Sequence, residues 1–132
     1  MPADNLDVMR RIVETAARGD YGAVLADLDP EVAIDDTDIL DADEYRGHAS
    51  FAKWLARWDE SWESWRVEEL EVRSAGEERA VALFQMIATG RGSSVELTRR
   101  DALVGRFRDG KALELAYYND QPRALSAAGL KE

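Results

Sequence analysis

Residues 94–103 read SVELTRRDAL, and an alternating strand there places Val95, Leu97, Arg99, Asp101 and Leu103 on one face. Two charges amid apolar residues are expensive unless paired or wetted. An arginine keeps its charge, and its fork can grip a carboxylate, so Arg99 and Asp101 form either a pocket pair able to move a proton or an ion pair that orders the sheet. Asp36 is a second candidate, because in EVAIDD it shares a face with Val32 and Ile34. A carboxylate aimed at an apolar interior is a sensible proton shuttle, since burial raises its pKa towards working pH. The other reading of Asp36 is a loop-entry acid beside Asp35 and Asp38. His48, the single histidine, follows Tyr45-Arg46-Gly47 at the start of a helical pattern, where it could titrate near neutrality or simply begin the helix.

These side chains need elements to hold them. Leu6, Met9, Val13 and Ala16 recur at helical spacing, which predicts a first helix over 5–18 with Asp4 as N-cap and Gly19 as stop. Asp20 caps a second helix through Tyr21, Val24, Leu25 and Leu28, ended by Asp29-Pro30. After a strand at EVAIDD comes the acidic stretch TDILDADEYRG, read as a solvated loop. Its spacing fails a calcium loop, with no oxygen ligand at the fifth position and no glycine at the sixth. From Ala49 to Trp65, Phe51, Trp54, Leu55, Trp58, Trp62 and Trp65 advance by threes and fours, which predicts one helix carrying all four tryptophans as a stripe. That stripe either packs the core or walls a ligand cavity, with Trp54, Trp58 and Trp62 as pocket-lining candidates.

The remainder reads as hairpins in series: WRVEELEVRS, RAVALFQMIATG, SVELTRRDALVGRFRDG and KALELAYYND, with turns at Ala75-Gly76-Glu77, Gly90-Arg91-Gly92 and Asp109-Gly110. Leu113, Leu115, Tyr117 and Asn119 share a face of the last strand. In the second strand both faces are apolar, with Val81, Leu83 and Ile87 opposite Phe84 and Met86, so one side lines the interior and the other meets a partner subunit or a helix of the same chain. Asp120 caps a short terminal helix. The order of elements describes a single α+β domain over 1–132, with helices gathered on one face of an antiparallel sheet.

Composition narrows the chemistry. Seventeen basic against 27 acidic residues give a net charge of −10, which repels nucleic acid. No apolar run approaches a membrane span and MPADNLDVMRR lacks a signal-peptide core, so the expectation is a cytoplasmic protein with no membrane partner. The chain has no cysteine and one histidine, which excludes thiolate chemistry and makes the usual metal sites improbable. Carboxylates, Arg, Tyr or His48 must do any chemistry, with no metal and no cofactor expected.

The same order of elements, with ARGDYGAVLADLDPEVAIDD, YRGHASFAKWL, FRDGKALELAYYND and RALSAAGL, resembles the NTF2-like superfamily and its SnoaL-like branch. The resemblance implies a curved sheet wrapped by helices into a cone with an apolar pocket, commonly a homodimer through the sheet's outer face. Asp36 looks like the general base of the ketosteroid isomerase branch, but Ile12 stands where that branch has a tyrosine. Arg99-x-Asp101 is similar to the pair of the limonene-epoxide-hydrolase branch, where the arginine bridges to a second aspartate, but that place falls on Tyr117. SnoaL-like cyclases use a pocket aspartate or histidine, for which Asp36, Asp101 and His48 are the candidates, with Trp54, Trp58, Trp62, Phe84 and Tyr117 lining the pocket. The expected function is a small-molecule pocket protein, as a cofactor-free acid/base enzyme of isomerase or cyclase type on an apolar, oxygenated substrate. The alternatives are a non-catalytic binding or dimerisation module, and an epoxide-hydrolase-like enzyme with an incomplete triad.

Overall fold

A computed structural model describes residues 2–38 and 45–131, with side chains from Asn5 onward. Its element order is α1 (Pro2–Ala17), α2 (Tyr21–Leu25), β1 (Leu28–Asp36), β2 (Tyr45–Arg46), α3 (His48–Ser61), β3 (Trp62–Ser74), β4 (Arg79–Gly90), β5 (Glu96–Arg108), β6 (Lys111–Tyr118) and α4 (Gln121–Ala127). The six strands form one curved, unclosed sheet in the order β2-β1-β6-β5-β4-β3. Strands β3 to β6 are the expected antiparallel meander. The sheet is nevertheless mixed, because β1 runs parallel to β6. The chain reaches β1 from the N-terminal helices, not from a hairpin off β6, so its direction is free of the meander's alternation.

Apolar periodicity produces α1 and α3, and both lie over the concave face of the sheet. Val8, Met9, Ile12 and Val13 from α1 and Phe51, Trp54 and Leu55 from α3 join Ala82, Phe84, Met86, Ala88, Leu103, Leu115 and Tyr117 in one core. Gly105 lets α1 sit this close. A methyl group there would come within 2.8 Å of the Met9 Cε and of the Phe107 ring. On the convex face a smaller cluster of Val81, Leu83 and Ala102 is covered by Ala124 and Leu125 of α4, so a helix of the same chain meets part of that face. Asp120 accepts from the Arg123 N–H as its N-cap.

Several boundaries differ from the sequence expectations, each for a local reason. Helix α1 begins at Pro2, before Asp4, whose side chain lies outside the described residues, as do residues 39–44 of the acidic stretch. Helix α2 stops at Leu25, and Leu28 with Pro30 belongs to β1. Proline is tolerated there because the pairing with β6 is irregular between Leu28 and Ala33, where a missing N–H breaks no ladder bond. Helix α3 ends at Ser61, so Trp62 and Trp65 stand on β3 and the tryptophans do not form one helical stripe. Val95 falls outside β5 and is 72% exposed, its N–H turned back to the Ser93 hydroxyl.

Candidate functional site

Four neighbouring strands bring the candidate residues to the concave face near one end of the sheet. Asp36, the last residue of β1, is aligned with Tyr117 on β6. Tyr117 pairs with Leu103 on β5, and Asp101 on that strand pairs with Phe84 on β4. The β5–β6 ladder stops at Ala102–Tyr118, because the chain then leaves the sheet through Asn119 and Asp120 into α4. Beyond that point the face of β5 opens outward: Leu103 and Asp101 are buried, the Arg99 side chain is 28% exposed and Leu97 is 38% exposed. The cost of placing charges on this strand is thus met by pairing for one and by water for the other.

Asp101 has no exposed surface. Arg99 grips it with two hydrogen bonds, Nε to Oδ1 at 2.6 Å and Nη2 to Oδ2 at 2.9 Å, and the Tyr117 hydroxyl donates to Oδ2 at 2.5 Å. Burial works against the Arg99 charge, but its bonds and proximity to Asp101 outweigh this and hold its pKa above the ordinary guanidinium value. Tyr117 is pushed well above the ordinary phenol range, first by burial and then by the Asp101 charge. Gln121, the first residue of α4, donates its amide to the Phe84 carbonyl at 3.2 Å and to that of Asp101 at 3.0 Å, binding the backbones behind the pair.

Asp36 is held differently. It is 6% exposed and accepts one bond, from Trp54 Nε1 to Oδ2 at 2.9 Å. Burial raises its pKa, the Trp54 bond partly offsets that, and Asp38 raises it further while Arg99 lowers it. Around it the rings meet edge to face: Trp54 with Tyr117 at 5.7 Å, Trp58 with Tyr117 at 5.1 Å and Phe84 with Tyr117 at 6.1 Å between centroids. Trp65, though on β3, still reaches Trp58 at 5.6 Å.

Two cavities share Trp54 and Trp58 as a common wall. The inner one, of about 50 Å3, is apolar and is bounded by Ile12, Val13, Phe51, Trp65, Phe84 and Tyr117, among others. The outer one is a cleft of about 200 Å3 lined by Asp36, Trp54, Arg57, Trp58, Ser61, Trp62, Arg99 and Asn119. Broader depressions of about 670 and 510 Å3 lie on the convex side, and neither contains a buried acid.

Of the four candidate chemical residues, the cleft therefore brings together Asp36 and Arg99, with Asp101 directly behind Arg99. His48 is elsewhere: its Nε2 lies 3.0 Å from the Leu28 carbonyl oxygen, tying the start of α3 to the start of β1. Trp54, Trp58 and Trp62 line the cleft, while Phe84 and Tyr117 line the inner cavity. Sequence reasoning did not single out Arg57, Ser61 or Asn119. Asn119 carried a signal, since it shares the β6 face of Tyr117, and Arg57 lies one helical turn beyond Trp54. Among the described residues no three His, Asp or Glu side chains converge as metal ligands, and no helix is long and apolar enough to cross a membrane.

Residues 9–115 match the SnoaL-like domain. No curated protein matches the sequence. Among solved structures, the fold is similar to that of a candidate polyketide cyclase from Xanthomonas campestris pv. campestris, with a TM-score of 0.77 and 20% identity over 96% of this chain and 98% of that one. It is similar to an NTF2-like protein of unknown function from Burkholderia pseudomallei K96243, with a TM-score of 0.79 and 22% identity over 93% and 95% of the two chains. It also resembles TerC co-crystallised with polyporic acid, with a TM-score of 0.78 and 17% identity over 96% and 98%. At such identities the likeness is one of fold.

Proposed function

The chain belongs to the SnoaL-like domain family, and from its cleft we propose that it is a small-molecule pocket protein equipped for cofactor-free acid/base catalysis of the isomerase or cyclase type. The observation that carries this reading is that Asp36 from β1 and Arg99 from β5 open onto one cleft. Asp36, a stronger base than a solvated carboxylate, takes a proton from the carbon beside a substrate carbonyl. The electron pair left by that C–H bond moves onto the carbonyl oxygen, where Arg99 faces the developing charge. Asp36 then returns the proton to a second carbon, or to the product after the enolate has attacked a second carbonyl.

Asp101 is a positioning residue in this scheme. Both its oxygens are taken, and it fixes the Arg99 fork together with Tyr117. The epoxide-hydrolase-like alternative loses support for the same reason, since Arg99 forks onto Asp101 and a buried phenol fills the place of the second acid. The binding-only alternative draws support from Ile12, which is buried and offers no hydroxyl at the inner cavity. A homodimer, if formed, would use the part of the convex face that α4 leaves bare.

The test is solvent deuterium incorporation into acetylacetone and phenylpyruvate, followed by proton NMR. The wild-type chain is expected to accelerate exchange, and Asp36→Asn to lose roughly a hundredfold or more of that acceleration. No acceleration by the wild type, or an unchanged rate in Asp36→Asn, would overturn the assignment.

A further inference from the structure

The lining of the cleft carries information about what it holds. Two guanidinium groups reach it from opposite walls, Arg57 from α3 and Arg99 from β5. Arg99 spends Nε and Nη2 on Asp101 and also interacts with the Tyr117 hydroxyl, so Nη1 is the one nitrogen of its fork that Asp101 does not engage. Arg57 gives Nη1 to the Tyr45 hydroxyl at 2.5 Å and stands exposed at the rim with its remaining donors. Ser61 and Asn119 add neutral hydrogen-bonding groups. Against them stands one acid, Asp36, with one oxygen already occupied by Trp54. Asp101, fully buried behind Arg99, balances that guanidinium, so in a chain of net charge −10 the cleft surface presents Arg57, the outer edge of the Arg99 fork and one carboxyl.

Shape narrows the ligand further. Trp54 and Trp58 meet at 83°, so their indoles make a corner in which a flat ring can lie on one face and abut the other. About 200 Å3 equals the liquid volume of roughly seven water molecules, and the mouth is open. The inner cavity, of about 50 Å3, is lined by aromatic and aliphatic side chains and leaves no room for a second ring.

We propose that the cleft selects a small planar organic anion, an aryl or enoyl carboxylate of about the size of benzoate. Its charged end lies between Arg57 and Arg99 and its flat face on the indole corner. This deepens the reading of the site given above and rests on the same cleft.

The experiment is equilibrium binding by tryptophan fluorescence, with benzoate, the neutral isostere benzamide and the non-planar cyclohexanecarboxylate as probes. Benzoate is expected to bind at least about tenfold more tightly than benzamide, because charge-assisted bonds to guanidinium are lost with the amide. Cyclohexanecarboxylate is expected to fall between them. Arg57→Gln, at an exposed position that folding tolerates, should weaken benzoate about tenfold and benzamide by less. Equal binding of benzoate and benzamide, absence of benzoate binding, or an Arg57→Gln variant that binds benzoate as wild type does would overturn the inference. The two readings fail separately. Selective anion binding without deuterium exchange removes the chemistry assigned to Asp36, whereas exchange without anion selectivity removes this ligand class.

Discussion

Two buried aspartates share the concave face, and their surroundings set them apart. Asp101 has its charge answered by Arg99 and Tyr117. Asp36 accepts a bond from the Trp54 indole and lies farther from Arg99, and burial lifts its pKa. The folded chain therefore holds the Asp36 proton more tightly than the unfolded chain, whose value lies near ~3.9. The stabilisation tied to that proton is complete below the unfolded value and is lost as pH rises through the folded one. Asp36→Asn, which keeps an oxygen for Trp54 and carries no charge, should thus melt above wild type at about pH 8, with the difference shrinking towards about pH 4. Thermal melts at the two values check this, and a variant that melts below wild type at the higher pH contradicts it. Alternation along the strands put each acid on a face with apolar neighbours, but left open which face of the sheet carries Arg99 and Asp101 and whether Asp36 is a loop-entry acid. It could not say which would have its oxygens occupied, because Tyr117 reaches Asp101 from another strand, 16 residues further along the chain.

At the scale of elements, the tryptophans show how a pattern can mislead. Trp62 and Trp65 are spaced like residues one turn apart on a helix, yet both belong to β3. The register with β4 slips between Trp62 and Ser64, and that bulge returns Trp62 to the face of Trp65, so three residues of strand mimic a helical turn. The hairpins of β3 to β6 were legible because their alternation and glycine turns are local. The parallel pairing of β1 was not, since it depends on where two helices deliver the chain. Gly105 belongs to this scale too, as the point where α1 and the Phe107 ring converge on β5. Its backbone lies outside the left-handed region, so only space opposes a side chain. Gly105→Ala should cost about 1–3 kcal/mol of stability in chemical denaturation, the usual penalty of overpacking. An unchanged midpoint would mean that α1 shifts freely on the sheet.

For the molecule as a whole, the cleft exists because the sheet is uneven. Strand β6 ends early, the outer half of β5 loses one neighbour, and Gln121 ties the Phe84 and Asp101 carbonyls so that the gap holds its shape. The pairing of β1 with β6 has a consequence in time. It joins residues more than 80 apart, such as Leu28 with Ala112 and Asp36 with Tyr117, and Thr37, just past β1, gives both its N–H and its hydroxyl to the Tyr117 carbonyl. The meander needs only short loops to close, whereas β1 must wait for the longest one. In stopped-flow refolding, Val32→Ala on β1 should mainly speed unfolding, while Ala88→Gly on β4 should mainly slow folding. Equal slowing of folding by both would place β1 in the nucleus. On this order of events the Asp36 wall of the cleft closes last, after the meander that carries Arg99 has formed.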